Sequence, residues 1–264
     1  MKKRPIIAVA LGGGGALGFA HIGVLDVLKE NNIPMDIVVG TSMGAVVGAF
    51  WCNGASADSL EKFASTIKTR QLVDLHLGLR GLISGSRVIR LLEKGIPKDK
   101  NIEDLPIRFA CNAVNIQNGE EILFEKGNML KAVRASMSVP GIFVPVRYED
   151  MTLVDGGVKN NLPHEHARKM GADIVIAVDV VGSSVFNELP RTALGILIQS
   201  WLISQQQSQK NMHKFYDVKI TPHIPDNKQY VFDKETAEKL INEGRLACEK
   251  QLPKIKELIE NFRG

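Results

Sequence analysis

A serine sits between two glycines in Gly40-Thr41-Ser42-Met43-Gly44. A short β-branched run, Ile37-Val38-Val39, precedes it, and a small, apolar stretch, Ala45-Val46-Val47-Gly48-Ala49-Phe50-Trp51, follows. The first run reads as a strand and the second as a buried helix. A serine at such a corner fits a nucleophile elbow. The turn is so tight that side chains at Gly40 and Gly44 would clash, and the hydroxyl is lifted clear of the strand end. The chemistry on offer is attack on an acyl carbonyl. G-x-S-x-G alone arises by chance in many chains, so the assignment depends on what else reaches the same place.

Two further motifs qualify. Gly12-Gly13-Gly14-Gly15-Ala16-Leu17-Gly18 lies between a first strand, Ile6 to Leu11, and a first helix. It formally satisfies G-x-G-x-x-G, but a dinucleotide fold wants an acidic residue where the second strand ends. Here that strand ends at Val39-Gly40 and Asp36 stands at its beginning. Bare backbone N–H groups beside a helix N-terminus are better suited to bind developing negative charge, as an oxyanion hole does. A loop needed only for tight helix packing is the plainer alternative. Asp155-Gly156-Gly157 follows an apolar strand, Met151 to Val154. Asp-Gly is common in ordinary turns. An aspartate ending a strand of a parallel sheet would, however, share the carboxyl edge with Ser42, and could take its proton.

A conventional triad would need a histidine from among His21, His76, His164, His166, His213 and His223. His213 and His223 come late enough in the chain, but neither follows an evident strand with a catalytic loop. His164 and His166 open a helix near the Asp155 turn and read as surface or capping residues. His21 reads as a satisfied residue of the first helix.

These groups need elements to hold them. The spacing of Phe19, Ile22, Leu25 and Leu28 predicts a helix over 16–29. Asp58-x-x-Glu61 resembles a capping box for a helix after the elbow helix. Residues 71–86 are apolar without a sustained period, compatible with a mobile cover or a plain loop. Ser86 suits the cap of a short helix. Ile107 to Asn115 and Glu121 to Phe124 read as a hairpin through Asn118-Gly119. Asn128 opens a helix that Ser136-Met137-Ser138-Val139-Pro140-Gly141 stops, and Pro163 suits the first turn of another. Asp173 to Val180 is a buried strand; a helix over 191–212, a strand near 217–220 and a charged helix over 233–262 complete the chain. Alternation of strands and helices predicts a three-layer α/β/α fold with a mostly parallel central sheet, in one domain.

Composition agrees with such a core: 44% of the 264 residues are apolar and 23% charged. The net charge of +4 is spread without an aromatic-basic stripe, which gives nucleic-acid binding no support. Cys52, Cys111 and Cys248 are odd in number and far apart, which suggests a reducing compartment and no metal spacing. The apolar run after Met1-Lys2-Lys3-Arg4-Pro5 breaks into glycines, unlike an export signal, and no segment reads as spanning a bilayer. The expected location is the cytoplasm, with contact at the inner membrane face allowed by the charge. Leu194, Ile196, Leu197, Ile198, Trp201, Leu202 and Ile203 form an apolar cluster suited to an acyl channel, a membrane contact or an ordinary core helix.

The motifs in this order resemble the patatin-like phospholipases, lipid acyl hydrolases related to the catalytic domain of neuropathy target esterase. The resemblance runs from Leu11 through Gly18 to Leu25, then the elbow around Ser42, Ala135 to Phe143, Val154-Asp155-Gly156-Gly157, Asn161-Leu162-Pro163 and Gly171-Ala172-Asp173. It covers about residues 6–181, and the remainder to Gly264 carries no diagnostic motif. It implies a serine–aspartate dyad without histidine, with Ser42 as nucleophile and Asp155 as base. It also implies an oxyanion hole from the backbone of Gly13, Gly14 and Gly15, and no metal or cofactor. The substrate would be a phospholipid, a lysophospholipid or another acyl ester. Many relatives carry Arg or Lys in the loop where this chain has Leu17, which leaves neutral or single-chain esters open. A regulatory module of the same fold, contacting a protein partner with incidental hydrolysis, is the alternative. A free aspartate, with pKa about 3.9, is a feeble base for a hydroxyl, so the scheme requires burial of Asp155 or strong oxyanion stabilisation.

Overall fold

The computed structural model describes residues 4–72, 74, 81–183, 190, 192–211, 214–224 and 231–263. Its strands are β1 (Ile7–Leu11), β2 (Ile37–Gly40), β3 (Arg108–Asn115), β4 (Glu120–Phe124), β5 (Val146–Tyr148), β6 (Met151–Asp155), β7 (Ile174–Val178) and β8 (Val218–Ile220). They form a sheet in the order β5-β6-β3-β2-β1-β7-β8, with β4 also on β3. The ladders joining β3, β2, β1, β7 and β8 are parallel.

Strand periodicity sorts the two faces. Ile7, Val9 and Leu11 of β1 enter the larger core, and Ala8 and Ala10 the smaller one. The larger core is built with α1 (Ala20–Glu30), α2 (Met43–Cys52), α3 (Ala57–Thr66), α6 (Met129–Ser136) and α9 (Lys234–Glu260). α7 (His164–Lys169) covers the opposite face, where Ala167 meets Ala8 and Ala10 and the small side chains let it approach. Layers of helix, sheet and helix result, as expected. The short α4 (Thr69–Leu72), α5 (Ser86–Leu92) and the longer α8 (Ala193–Asn211) lie at the site end.

Several details differ from the sequence reading. The first helix is preceded by a 3-10 turn, Gly15–Phe19, so α1 itself starts at Ala20. The cap of α3 is Ser56, whose hydroxyl accepts the Ser59 N–H at 3.2 Å, while Asp58 lies within the first turn. The starts at Asn128 and Asp233 agree with that reading: these residues cap α6 and α9 by accepting the N–H groups of Lys131 and Thr236.

The largest correction concerns the strand that delivers Asp155. β6 runs antiparallel to β3, so it does not end at the carboxyl edge in the manner of a parallel strand. β3 is eight residues long, twice the length of β2. Cys111 of β3 pairs with Gly40 of β2 and also with Phe124 of β4, so β2 and β4 flank β3 on opposite sides. Ala113 pairs with both β4 and β6, which puts β6 on the β2 side. β2 and β6 therefore meet head to head along one side of β3. Gly40 lies opposite Cys111 and Asp155 opposite Ala113, a step of about 7 Å along the strand.

Candidate active site

The elbow is held by its backbone. Ser42 has φ 54° and ψ −120°, a conformation few non-glycine residues adopt. A Cβ at Gly40 would run into the Gly44 carbonyl, and one at Gly44 into the Leu11 carbonyl. Thr41 N–H donates to Leu11 O at 3.0 Å, and Ser42 N–H to Ser136 Oγ at 3.0 Å. The serine is 8% exposed.

Asp155 is buried beside it. Its N–H donates to Ser138 O at 2.9 Å, and its Oδ1 accepts the Gly157 N–H at 2.8 Å. Burial raises its carboxyl pKa to about 7, while bonding from the Ser42 side chain and the Gly157 amide opposes the rise. The serine contact has not closed to full hydrogen-bond geometry, and Oδ2 remains buried without a partner. Such contacts commonly tighten only when substrate is bound.

The glycine loop lies against the serine, but its three N–H groups are not equivalent. Gly13 departs from the expected role, because its N–H is donated to Asn161 O at 3.0 Å. Asn161 Nδ2 in turn donates to Gly13 O at 3.1 Å, and a Cβ at Gly13 would approach Ser42 Cβ to 3.1 Å. Gly12 N–H is donated to Val178 O. Among the described residues, the N–H groups of Gly14 and Gly15 have no acceptor, and neither has that of Met43, which follows the serine. Gly15 itself has φ 58° and lines the same cavity as Ser42. Gly18 packs on Met43, and Gly156 on the Asn112 side chain. Leu17 is fully buried.

No histidine joins them among the described residues. His21 is buried and its Nε2 donates to Gly12 O at 2.7 Å, with burial lowering its pKa to about 4. His166 Nε2 lies 2.7 Å from Glu121 Oε1, and His164 stacks edge-on against Tyr216. His223 is exposed. His76 and His213 lie outside the described residues, as does most of the apolar stretch 73–80.

Two cavities open from Ser42. One of 310 Å³ is almost wholly apolar, walled by Val46, Phe63, Ile67, Leu92, Met137 and Phe232 among others. A smaller one of 60 Å³ is bounded by Gly14, Gly15, Asn161, Trp201, Leu202 and Gln205. Ile198 of α8 lines both. Of the apolar cluster anticipated near 194–203, Trp201 and Leu202 thus face the site, and Ile196, Leu197 and Ile203 are exposed. Leu194 lies outside the described side chains.

A nearly buried serine on a strained elbow, a carboxyl with raised proton affinity and a glycine loop therefore lie together at one end of the sheet. The sequence profile of patatin-like phospholipases matches residues 9–168, and the chain belongs to that family. It is 33% identical over 226 residues to lysophospholipase NTE1 of Debaryomyces hansenii, and 37% identical over 180 residues to lysophospholipase nte1 of Aspergillus fumigatus. Those matches take in 83% and 66% of this chain but only 14% and 12% of the relatives' length. Among solved structures, VipD from Legionella pneumophila superposes with a TM-score of 0.65 at 15% identity, covering 95% of this chain and 67% of that one. Human GIVD cytosolic phospholipase A2, in complex with methyl gamma-linolenyl fluorophosphonate, gives 0.53 at 11% identity, covering 97% and 59%. These two likenesses concern the fold.

Four residues at the site escape a reading by motif alone: Ser136, Asn112, Asn161 and Met43. Ser136 and Asn161 stand inside stretches that mark the family, yet only the folded backbone reveals what they bond. Met43 was legible in principle, since the residue after an elbow nucleophile often lends its N–H to the oxyanion. Asn112 carried no signal beyond being a polar residue in an apolar strand.

Proposed function

We propose that this protein hydrolyses fatty-acyl esters of lipids, with Ser42 as nucleophile and Asp155 as general base. The observation that carries this reading is the Asp155 carboxyl, wholly buried beside Ser42 with its pKa raised to about 7 and one oxygen unpartnered. Burial removes the objection that aspartate is too weak a base. Ser42 Oγ attacks the ester carbonyl as Asp155 takes its proton, and the carbonyl oxygen becomes an oxyanion. N–H groups of Gly14 and Gly15, with that of Met43, are the donors available to it. Collapse breaks the bond to the alcohol, which leaves with the proton from Asp155. Water then gives a proton to Asp155 and attacks the acyl-serine; collapse breaks the bond to Ser42 Oγ, which takes that proton from Asp155 as the fatty acid is released.

The apolar cavity of 310 Å³ suits an acyl chain, and with the named relatives it favours a single-chain lipid such as a lysophospholipid or monoacyl ester. We also propose a cytoplasmic protein that meets its substrate at a membrane surface. Ile196, Leu197 and Ile203, exposed on the helix whose other residues line the site, support that contact. Among the described residues no helix is long and apolar enough to cross a membrane. Trp201 packs over Gly157 and lines the smaller cavity, so Leu197→Glu is the cleaner probe in liposome flotation.

The deciding experiment combines covalent labelling with hydrolysis. Wild type should react with an alkyl fluorophosphonate at Ser42 and cleave lysophosphatidylcholine, and Ser42→Ala should do neither. A folded wild-type protein that fails both tests would overturn the reading.

A further inference from the structure

We infer that Asn112 is a positioning residue that fixes the separation of Ser42 and Asp155 by bridging the seam where β2 and β6 meet. The inference rests on the hydrolase reading above. Asn112 stands on β3 between Cys111, which pairs with Gly40, and Ala113, which pairs with Asp155. It therefore lies opposite the junction of two strand ends that share no ladder with each other.

Its side chain, fully buried, binds both ends. Oδ1 accepts the Thr41 hydroxyl at 2.8 Å, and Thr41 is the residue before the nucleophile. Nδ2 donates to Asn160 O at 2.9 Å and to Glu121 Oε1 at 2.8 Å. Asn160 ends the turn that Asp155 begins, its N–H donating to Gly156 O at 2.9 Å. Thr41 Oγ1 also lies 3.1 Å from that same Asn160 carbonyl. The seam is thus closed from side chain to side chain and from side chain to backbone.

The amide has one workable orientation. Two acceptors face Nδ2 and one hydroxyl faces Oδ1, so turning the amide over would set acceptor against acceptor. Glu121 secures that choice and is itself held by His166 at 2.7 Å. A Cβ on Gly156 would collide with the Asn112 amide, so the turn and the strut touch directly. Aspartate at 112 would face the Glu121 carboxylate, and leucine would fill the space with no bonds.

The site depends on this spacing because Asp155 must stay within hydrogen-bond reach of Ser42 to take its proton. A displacement near 1 Å of either partner can lower a rate by about 10²-fold. The test measures hydrolysis of a short-chain p-nitrophenyl ester per serine titratable by fluorophosphonate, together with KM and thermal midpoint. Thr41→Val removes only the hydroxyl end of the strut and is expected to lower kcat at least about tenfold, with KM within about twofold. Thr41→Ser should recover most of that loss, because the hydroxyl returns. Asn112→Leu is expected to lower kcat further, by about 10²-fold. A folded Asn112→Leu or Thr41→Val protein with wild-type kcat overturns the inference. If Asn112→Leu does not fold, the Thr41 pair decides alone, and a residue that is only structural would lower the thermal midpoint without changing kcat per titratable serine. Wild type that neither hydrolyses nor labels would instead sink the hydrolase reading itself.

Discussion

Ser136 Oγ accepts the Ser42 backbone N–H at 3.0 Å, and this bond pairs a buried donor on the most strained residue of the elbow. The helix that ends at Ser136 also supplies, two residues on, the Ser138 carbonyl that holds the Asp155 N–H. One short stretch therefore grips the backbone of both proposed dyad members. Ser136→Ala leaves the Ser42 N–H orphaned, at a cost of about 1–3 kcal/mol of stability. Urea denaturation of the variant should show that loss, and kcat should fall as the elbow relaxes.

Asp155 makes a prediction about pH with a definite sign. Its pKa is about 7 folded and about 3.9 when unfolded. Between those values the folded protein holds a proton that the unfolded chain has released, so stability falls as pH rises from about 4 to 7. Activity moves the other way. The base must be unprotonated, so kcat/KM should rise through pH 7 and level off above it. Asp155→Asn keeps the shape but carries no charge. It should be inactive, yet more stable than wild type at pH 8, by on the order of 3 kcal/mol, with the gap closing toward pH 4. Urea midpoints of both proteins across that range check the claim.

Local chemistry made the elbow and the glycine loop legible, because Gly40, Gly44 and the run before Ser42 encode a strained corner within a few residues. The hairpin through Asn118-Gly119 was legible for the same reason. Asp155 does lie beside Ser42, but not for the reason the sequence offers. Its strand is antiparallel, and it reaches Ser42 because β3 extends past the end of β2, a matter of register that no local pattern displays. The bond of Gly13 to Asn161 is equally non-local, so three glycines that look interchangeable in sequence differ in which N–H is free.

That distinction can be tested in the loop. Asn161 binds Gly13 through both its carbonyl and its side-chain amide. Asn161→Ala removes the side-chain bond and frees the loop that presents Gly14 and Gly15. Loss of a well-placed oxyanion donor costs about 10²–10³ in kcat, and a loosened one should cost a part of that. The expected outcome is a lower kcat with KM for short esters nearly unchanged, and slower inactivation by fluorophosphonate. Equal kcat would mean that the loop is held sufficiently by Gly12 and Val178.

The large cavity sets the last expectation. Val46 lies one turn beyond Ser42 on α2, its N–H bonded to Ser42 O at 3.1 Å, and its side chain lines the apolar space of 310 Å³. Val46→Phe adds volume into a void and not into close-packed core, so the overpacking cost common to such changes should be small. The acyl chain must then stop short or bend. Each methylene excluded from an apolar pocket is worth roughly tenfold or more in kcat/KM. Butyryl esters should be cleaved at near wild-type rates, while dodecanoyl and longer esters lose at least about tenfold. A chain-length series of p-nitrophenyl esters reads this directly. An unchanged series would mean that the acyl chain does not enter this cavity and lies along the smaller one, under Trp201 and Leu202.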